Sequence, residues 1–202
     1  MADKAKYKRV VLKISGQSLC RPGGSGLHLS AIASLADELA PVVQTGLQVG
    51  LVVGGGNILR GRQLARGAQI QRVTADHMGM LATVINALAL RDVLAGRGMP
   101  ACVLGAIEMT AVCEPFTQRR ALEHLEAGRL VILAGGTGNP FFTTDTCAAL
   151  RASELEADLL LKATKVDGVF DADPETTPGA KKYKRLTYEK VLADKLGVMD
   201  LT

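Results

Sequence analysis

Apolar residues along this chain fall into two kinds of pattern, which alternate from one end to the other. Short continuous runs rich in valine, isoleucine and leucine predict buried strands. These runs cover residues 8–15, 48–53, 101–104, 129–134 and 158–163. Longer segments between them repeat apolar residues every three or four positions, as amphipathic helices do. Continuous apolar strands that alternate with helices are typical of a parallel sheet with helices on both faces.

Capping residues predict where the helices begin and end. The helices are expected to begin at or near Ser30, Val73, Thr117, Thr144 and Thr187. The second of these is the longest and runs to about Arg97, and Gly128 ends the third. No repeat, low-complexity stretch or linker divides the chain. We therefore predict one α/β domain over residues 1–202, folded as a three-layer αβα sandwich with a mainly parallel central sheet.

Composition agrees with a folded domain and argues against two classes of partner. Of the 202 residues, 48% are hydrophobic and 22% are charged, so the chain can bury enough apolar surface to fold. The net charge is only +4, and aromatic residues make up 3% with no tryptophan, so we expect no nucleic-acid partner. The stretch 39–59 is uncharged like a membrane span, but it contains Pro41 and five glycines. We expect a helix end, a turn and a strand there, and no membrane partner.

The cysteines predict a reducing compartment. Cys20, Cys102, Cys113 and Cys147 are widely spaced and form no C-x-x-C pair. The chain is not short, and its first residues carry too brief an apolar run for an export signal. We therefore expect four reduced thiols and a cytoplasmic protein.

Glycine-rich or polar clusters follow the first, second and fourth predicted strands, where ligands gather in parallel sheets. The chain contains no Gly-Lys pair for a P-loop, and neither glycine cluster completes G-x-G-x-x-G. The motifs G-x-S-x-G and H-E-x-x-H and the paired-cysteine zinc patterns are absent too. α/β-Hydrolases and the common zinc enzymes are therefore excluded.

The residue types in these clusters still suit phosphate binding. Gly54–Gly56 leave backbone N–H groups open to an anion, and Arg60 lies one helical turn later. Lys13 places an ammonium group at the end of the first strand, and Gly135–Pro140 precede the helix that starts near Thr144. One glycine cluster alone is more often a tight turn. Three clusters at equivalent strand ends, each beside a charged or hydroxyl side chain, favour a phosphate site.

Five segments together carry a resemblance to a known family. They are residues 13–16, 54–57 with Arg60 and Gly61, 76–80, 136–145 and 161–170. These segments are similar to those of the bacterial uridylate (UMP) kinases in the amino acid kinase superfamily, and the similarity runs from Tyr7 to Leu201. Members usually continue past the Met199-Asp200-Leu201 motif for another helix and closing strands. Because this chain stops at Thr202, we expect it to lack that C-terminal portion.

The resemblance implies the amino acid kinase fold and transfer of the γ-phosphate of ATP to UMP, which gives UDP and ADP. The residues implied to be catalytic are Lys13, Arg60, Asp145 and Lys165. Asp145 is expected to orient lysines rather than to transfer a proton, and Lys165 is expected to be a second cation near the phosphates. The residues implied to bind ATP are Lys13, Ile14, Ser15, Gly16, Gly56, Arg60, Thr164, Phe170 and Asp173. No side chain is assigned to a metal, and Mg²⁺ is expected to arrive with ATP.

The resemblance also implies an acceptor site and several partners. The residues implied to bind UMP are Gly55, Asp76, Thr137, Gly138, Asn139, Pro140, Phe141, Phe142, Thr143 and Thr144. Among these, Asp76 is expected to hydrogen-bond the UMP sugar. Phe141 and Phe142 could instead be core residues, and Asp173-Pro174 could be only a turn. A homohexamer, activation by GTP and inhibition by UTP are expected on the same ground.

Two other functions stay open at this point. A kinase of the same fold could act on a carboxylate or a carbamate, although Asp76 and the run Asn139–Asp145 argue against it. A nucleotide-binding storage or sensor protein without turnover is the second alternative, and the presence of Lys13 and Arg60 argues against that. An ADP-release assay distinguishes both from UMP phosphorylation.

Overall fold

Six parallel strands form one sheet in the computed structural model, which describes residues 6–59, 70–164, 166–172, 174, 176–194 and 196. The strands are β1 (Arg9–Ile14), β2 (Gln48–Val53), β3 (Ala101–Gly105), β4 (Glu114–Pro115), β5 (Leu130–Ala134) and β6 (Leu159–Lys162). Their order across the sheet is β4-β3-β5-β2-β1-β6, and every neighbouring pair is parallel. The prediction of a mainly parallel sheet is therefore confirmed.

The described residues also form five α-helices, and a short 3₁₀ helix (Gly16–Leu19) follows β1. The α-helices are α1 (Leu29–Gln44), α2 (Arg72–Ala95), α3 (Gln118–Glu126), α4 (Thr144–Glu154) and α5 (Tyr188–Ala193). Threonine hydroxyls cap the last three, because Thr117, Thr143 and Thr187 each accept a hydrogen bond from the N–H three residues later. These caps agree with the helix starts predicted near the same positions.

Helices cover both faces of the sheet because successive side chains of a strand point to opposite sides. On β1, Val10 belongs to the core that α1 and α2 cover, whereas Val11 belongs to the core that α3 and α4 cover. On β2, Leu51 and Val52 divide between the two cores in the same way. The prediction of a three-layer αβα sandwich is confirmed.

Two local predictions are wrong or incomplete. Ser30 does not cap α1, because the helix already begins at Leu29 and its N-cap residue is His28. The Ser30 hydroxyl lies in the first turn and hydrogen-bonds Nδ1 of His28 at 2.8 Å. The apolar pattern also gives no sign of β4, since this strand is only Glu114-Pro115 and pairs with the end of β3 alone.

The uncharged stretch 39–59 contains the end of α1 at Gln44 and the strand β2, as predicted. Within the described part of the chain, α2 is the helix that is long and apolar enough to cross a membrane by length and composition. Leu90 and Leu94 of this helix are buried against the sheet, and core helices of soluble proteins pass the same test.

Parallel pairing brings the ends of four strands to one edge of the sheet. Lys13 of β1 is in register with Val52 of β2 on one side and with Lys162 of β6 on the other. Val52 in turn pairs with Leu133 of β5. The segments that follow β1, β2, β5 and β6 therefore leave the sheet at its carboxyl edge, where ligands bind in sheets of this kind.

The four cysteines give a prediction about thiol reactivity. All four are buried and none forms a disulfide. Burial raises the pKa of Cys102 to about 12 and that of Cys147 to about 11, and it also raises the pKa of Cys113. Because the thiolate is the reactive form, we expect slow reaction of these thiols with a disulfide reagent in the native protein near pH 8.

Thiol titration of the denatured, unreduced protein should then release all four groups. A denatured count of two or fewer would contradict the reduced state of the cysteines. Immediate reaction of Cys102 and Cys147 in the native protein would contradict the burial that raises their pKa values.

Candidate active site

One buried carboxylate holds two lysines at the carboxyl edge of the sheet. Asp145 lies in the first turn of α4, and its side chain is only 3% exposed. Its Oδ1 is 2.9 Å from Nζ of Lys13, and its Oδ2 is 2.7 Å from Nζ of Lys162. The strand register explains this geometry, since Lys13 and Lys162 are neighbours on adjacent parallel strands. We call these three residues the lysine pair and its carboxylate.

The charges of this group favour a bound anion. Two ammonium groups and one carboxylate leave one net positive charge, and a buried carboxylate is tolerated only when it is paired in this way. The side chains of Lys13 and Lys162 are 13% and 29% exposed, so they can reach a ligand that Asp145 cannot. The position of Asp145 in the first turn of α4 is itself favourable, because a helix N-terminus attracts negative charge.

Sequence reasoning found two members of this group and missed the third. Asp145 contacts Lys13 as the resemblance implies, and its second lysine contact is Lys162. The predicted second cation, Lys165, lies outside the described residues, and so do Arg60 and Asp173. The sequence does show Lys162 near the end of the fifth apolar run. A lysine there can be assigned to the site only when β6 is known to lie beside β1.

The segments after β1 and β2 pack tightly against each other. A Cβ at Gly16 would lie 2.4 Å from Oδ1 of Asn57 and 2.7 Å from the carbonyl oxygen of Gly54, so only glycine fits there. The Gln17 side chain donates from Nε2 to the carbonyl oxygen of Gly56 at 3.0 Å. We call residues 54–57 the glycine loop.

Four predicted ATP contacts therefore lie together beside the lysine pair. They are Ser15, Gly16 and Gly56, with Ile14 at the end of β1. The Ser15 hydroxyl caps the 3₁₀ helix by accepting from the N–H of Gln17, and the Ile14 side chain is buried in the core.

A pocket lies on the other side of the glycine loop, between α2 and the segment after β5. Its lining includes seven of the ten residues predicted to bind UMP, namely Gly55, Asp76, Thr137, Asn139, Phe142, Thr143 and Thr144. Gly138, Pro140 and Phe141 do not line it. Residues that were not assigned to UMP complete the lining, namely Leu59, Ala75, Gly79, Met80, Thr83 and Gly136, and Gly56 contributes from the glycine loop.

Asp76 of α2 is hydrogen-bonded to the segment that contains Phe141 and Phe142. Its carboxylate accepts from Nε of Arg72 at 2.8 Å and from the backbone N–H of Phe141 at 2.9 Å. The Arg72 guanidinium also lies 5.5 Å from the centroid of the Phe141 ring. Phe141 and Phe142 are both about half exposed, so neither is a core residue. Phe141 has φ of 73°, and the hydrogen bond to Asp76 holds its backbone in this left-handed conformation.

Two polar side chains inside helices hold the glycines after β5, and sequence reasoning missed both. The Thr83 hydroxyl of α2 accepts from the N–H of Gly135 at 2.8 Å and donates to the carbonyl oxygen of Met80 at 2.6 Å. The buried Arg151 of α4 donates to the carbonyl oxygen of Gly136 at 3.4 Å. A polar residue on the buried face of a helix is the signal that could have identified them.

The remaining predicted ATP contacts lie in the segment that follows β6. The N–H of Ala163 donates to the carbonyl oxygen of Lys13 at 2.9 Å, which places Thr164 directly after the lysine pair. Phe170 forms an isolated antiparallel bridge with Lys182. Contacts of Thr164 and Phe170 with ATP stay predictions.

The buried hydroxyl of Thr83 gives a prediction about stability. Thr83→Val keeps the shape of the side chain but leaves the N–H of Gly135 without its acceptor. We expect the free energy of unfolding to fall by about 1–3 kcal/mol, the usual cost of an unsatisfied buried donor. Thr83→Ser, which keeps the hydroxyl, should lose less. Urea denaturation of the two variants measures this difference, and a Val variant as stable as the Ser variant would contradict the bond's importance.

Comparisons with known proteins agree with this fold and this arrangement of residues. The sequence matches the amino acid kinase family over residues 8–201. It is 55% identical to a uridylate kinase of Methylococcus capsulatus, over 97% of this chain and 82% of that protein. It is 54% identical to a uridylate kinase of Legionella pneumophila, over 98% of this chain and 80% of that protein.

Structural similarity points to the same family. The crystal structure of a UMP kinase from Bacillus anthracis superposes with a TM-score of 0.92 and 42% sequence identity, over 96% of this chain and 80% of that chain. The family match, the sequence identity and the parallel αβα fold all extend over nearly the whole sequence. The chain therefore belongs to the amino acid kinase family.

Proposed function

We propose that this protein transfers the γ-phosphate of ATP to UMP and releases UDP and ADP. The observation that carries the proposal is the buried Asp145 carboxylate, which holds Lys13 and Lys162 beside the glycine loop at the carboxyl edge of the sheet. The names of the similar proteins, uridylate kinase and UMP kinase, support the choice of acceptor.

The chemistry of this transfer matches the residues present. The acceptor is a phosphate oxygen that is already ionised near neutral pH, so the reaction needs no general base. What it needs is in-line positioning and positive charge where negative charge develops on the transferred group. Lys13 and Lys162 supply that charge, and Asp145 acts as a positioning residue because it fixes both ammonium groups.

The glycine loop separates the two proposed nucleotide sites. On one side it packs against Ser15 and Gly16, where we place the ATP phosphates together with Ile14 and Gly56. On the other side Gly55 faces the pocket. Arg60, Lys165, Thr164, Phe170 and Asp173 complete the proposed donor site on the ground of the family resemblance.

The pocket beneath α2 is the proposed UMP site. Asp76 would hydrogen-bond the ribose, and residues 137–144 would surround the uracil and its phosphate. Phe142 supports this, because its half-exposed ring lies in the pocket lining and is available to a base. Gly138 shapes the segment 137–144, because its φ of 80° brings the backbone close to the carbonyl oxygen of Ala106.

The donor set near the lysine pair fits a magnesium ion that enters with the nucleotide. Asp145 directs its two oxygens to lysines, and among the described residues no group of three or more histidine, cysteine or acidic side chains could hold a metal. The phosphates of ATP would therefore be the main ligands of Mg²⁺. Bound in this way, Mg²⁺ neutralises part of the negative charge of the phosphates.

We also propose a cytoplasmic homohexamer that GTP activates and UTP inhibits, on the ground of the family resemblance. Val73, Leu81 and Ile85 support self-association, because all three lie on α2 and expose apolar surface. The four unpaired buried thiols support a reducing compartment.

A coupled ADP-release assay with Mg·ATP tests the proposed reaction. The acceptors to compare are UMP, CMP, TMP, GMP, aspartate and N-acetylglutamate, and we expect UMP to be preferred because a site that hydrogen-bonds one base edge rejects others. Greater activity with CMP or with an amino acid would contradict the assigned acceptor. ATP binding without turnover on any acceptor would favour a storage or sensor protein.

Substitution of the lysine pair tests the proposed mechanism in the same assay. Lys13→Ala and Lys162→Ala should each lower kcat by about 10²–10³-fold and change UMP affinity much less, because their charges act mainly in the transition state. Lys8→Ala is the matched control, since Lys8 immediately precedes β1 at the opposite end of the sheet from Lys13. Equal activity of the Lys13→Ala and Lys8→Ala proteins would refute the role of the lysine pair.

A further inference from the structure

Two buried asparagines form a reciprocal pair behind the glycine loop. Asn57 belongs to that loop and Asn86 to the middle of α2, and the two residues are 2% and 0% exposed. Asn57 donates from Nδ2 to Oδ1 of Asn86 at 3.0 Å, and Asn86 donates from Nδ2 to Oδ1 of Asn57 at 2.7 Å. We call these two residues the amide pair.

Each member of the amide pair also holds a backbone carbonyl. Asn86 donates from Nδ2 to the carbonyl oxygen of Gly54 at 2.7 Å, and Asn57 donates from Nδ2 to that of Gly26 at 2.8 Å. The N–H of Gly26 returns a bond to the carbonyl oxygen of Asn57 at 2.8 Å. All four amide hydrogens are therefore used, and a fully satisfied buried network of this kind fixes one arrangement of its parts.

The amide pair thereby fixes the position of the loop that separates the two proposed nucleotide sites. The first residue of the loop, Gly54, is held by Asn86, and its last residue, Asn57, is held by Asn86 and Gly26. There is little room for the loop to move. A Cβ at Gly16 would lie 2.4 Å from Oδ1 of Asn57, and a Cβ at Gly55 would lie 2.8 Å from the carbonyl oxygen of Gly79.

We propose that Asn57 and Asn86 are positioning residues for phosphoryl transfer. They fix the glycine loop between the two proposed nucleotide sites, and the loop in turn keeps the donor and acceptor phosphates in line. The proposal rests on the proposed function. Neither side chain is exposed to a ligand, so the effect would pass entirely through the loop backbone. A displacement of about 1 Å at a reaction centre can cost about 10²-fold in rate, even when the substituted residue lies outside it.

The test replaces Asn86 by leucine, which has a similar shape but can neither donate nor accept. We expect kcat with UMP and Mg·ATP to fall by about 10- to 100-fold, while KM for each nucleotide changes by less than about threefold. The matched control is Leu90→Ala, a fully buried residue one turn further along α2 that packs in the core. Its cavity destabilises the same helix, yet it should leave kcat near that of the wild-type protein.

The outcomes separate this proposal from the proposed function. Wild-type protein that does not phosphorylate UMP would refute the proposed function and this proposal with it. The role of the amide pair alone would be refuted if the wild-type protein is active and the folded Asn86→Leu variant keeps its kcat. A loss of kcat in Asn86→Leu no greater than that in Leu90→Ala would refute it too. An increase in KM with unchanged kcat would refute it as well, because the loop would then serve binding only.

A second variant tests the proposal if Asn86→Leu does not fold. Asn86→Ser is smaller and leaves space for water beside the carbonyl oxygen of Gly54. Circular dichroism and thermal unfolding establish that each variant is folded at the assay temperature. We expect the Ser variant to lose kcat with unchanged KM values, but by a smaller factor than the Leu variant, because a hydroxyl or water restores part of the hydrogen bonding. A folded Ser variant with wild-type kcat would overturn the proposal.

Discussion

The arrangement of the site depends on how the charge of one buried carboxylate is balanced. Asp145 is almost fully enclosed, and a carboxylate in that position keeps its charge only beside cations. Lys13 and Lys162 supply them from two neighbouring strands, so β1, β6 and the start of α4 must meet at one point. The same contact that makes burial of Asp145 possible also aims two ammonium groups at the edge where the glycine loop lies. Packing and proposed chemistry therefore share one interaction.

Around this centre, polar side chains inside apolar helices hold the loops in place. Thr83 and Asn86 both belong to α2, yet they bind the segment after β5 and the segment after β2, respectively. Arg151 of α4 holds Gly136 from the opposite layer. Because these bonds are buried, losing one leaves a donor or acceptor unpaired. The two helical layers thus set the shape of a site that is built largely from backbone atoms of glycine-rich loops.

Sequence patterns predicted the parts of the molecule that depend on local composition. The apolar runs predicted the longer strands of the described part of the chain, and Lys13 and Asp145 were recognised from their motifs. Lys162 was missed because its role depends on β6 lying beside β1, which joins residues about 150 positions apart and has no local signal. Asn86 was missed for the same reason, since its partners Asn57 and Gly54 are distant in sequence. Ser30 failed as a cap because the helix begins two residues earlier than a cap at Ser30 would require, which makes His28 the N-cap residue.

The most direct test of this account is the turnover of Asp145→Asn. The amide keeps the size of the side chain but removes the charge that balances Lys13 and Lys162, and its NH₂ group cannot accept from a lysine. With folding verified and UMP affinity measured separately, the account predicts that kcat for UDP formation falls by about 10²-fold or more, while UMP affinity changes little. A folded Asp145→Asn protein whose kcat stays within about threefold of the wild-type value would contradict it.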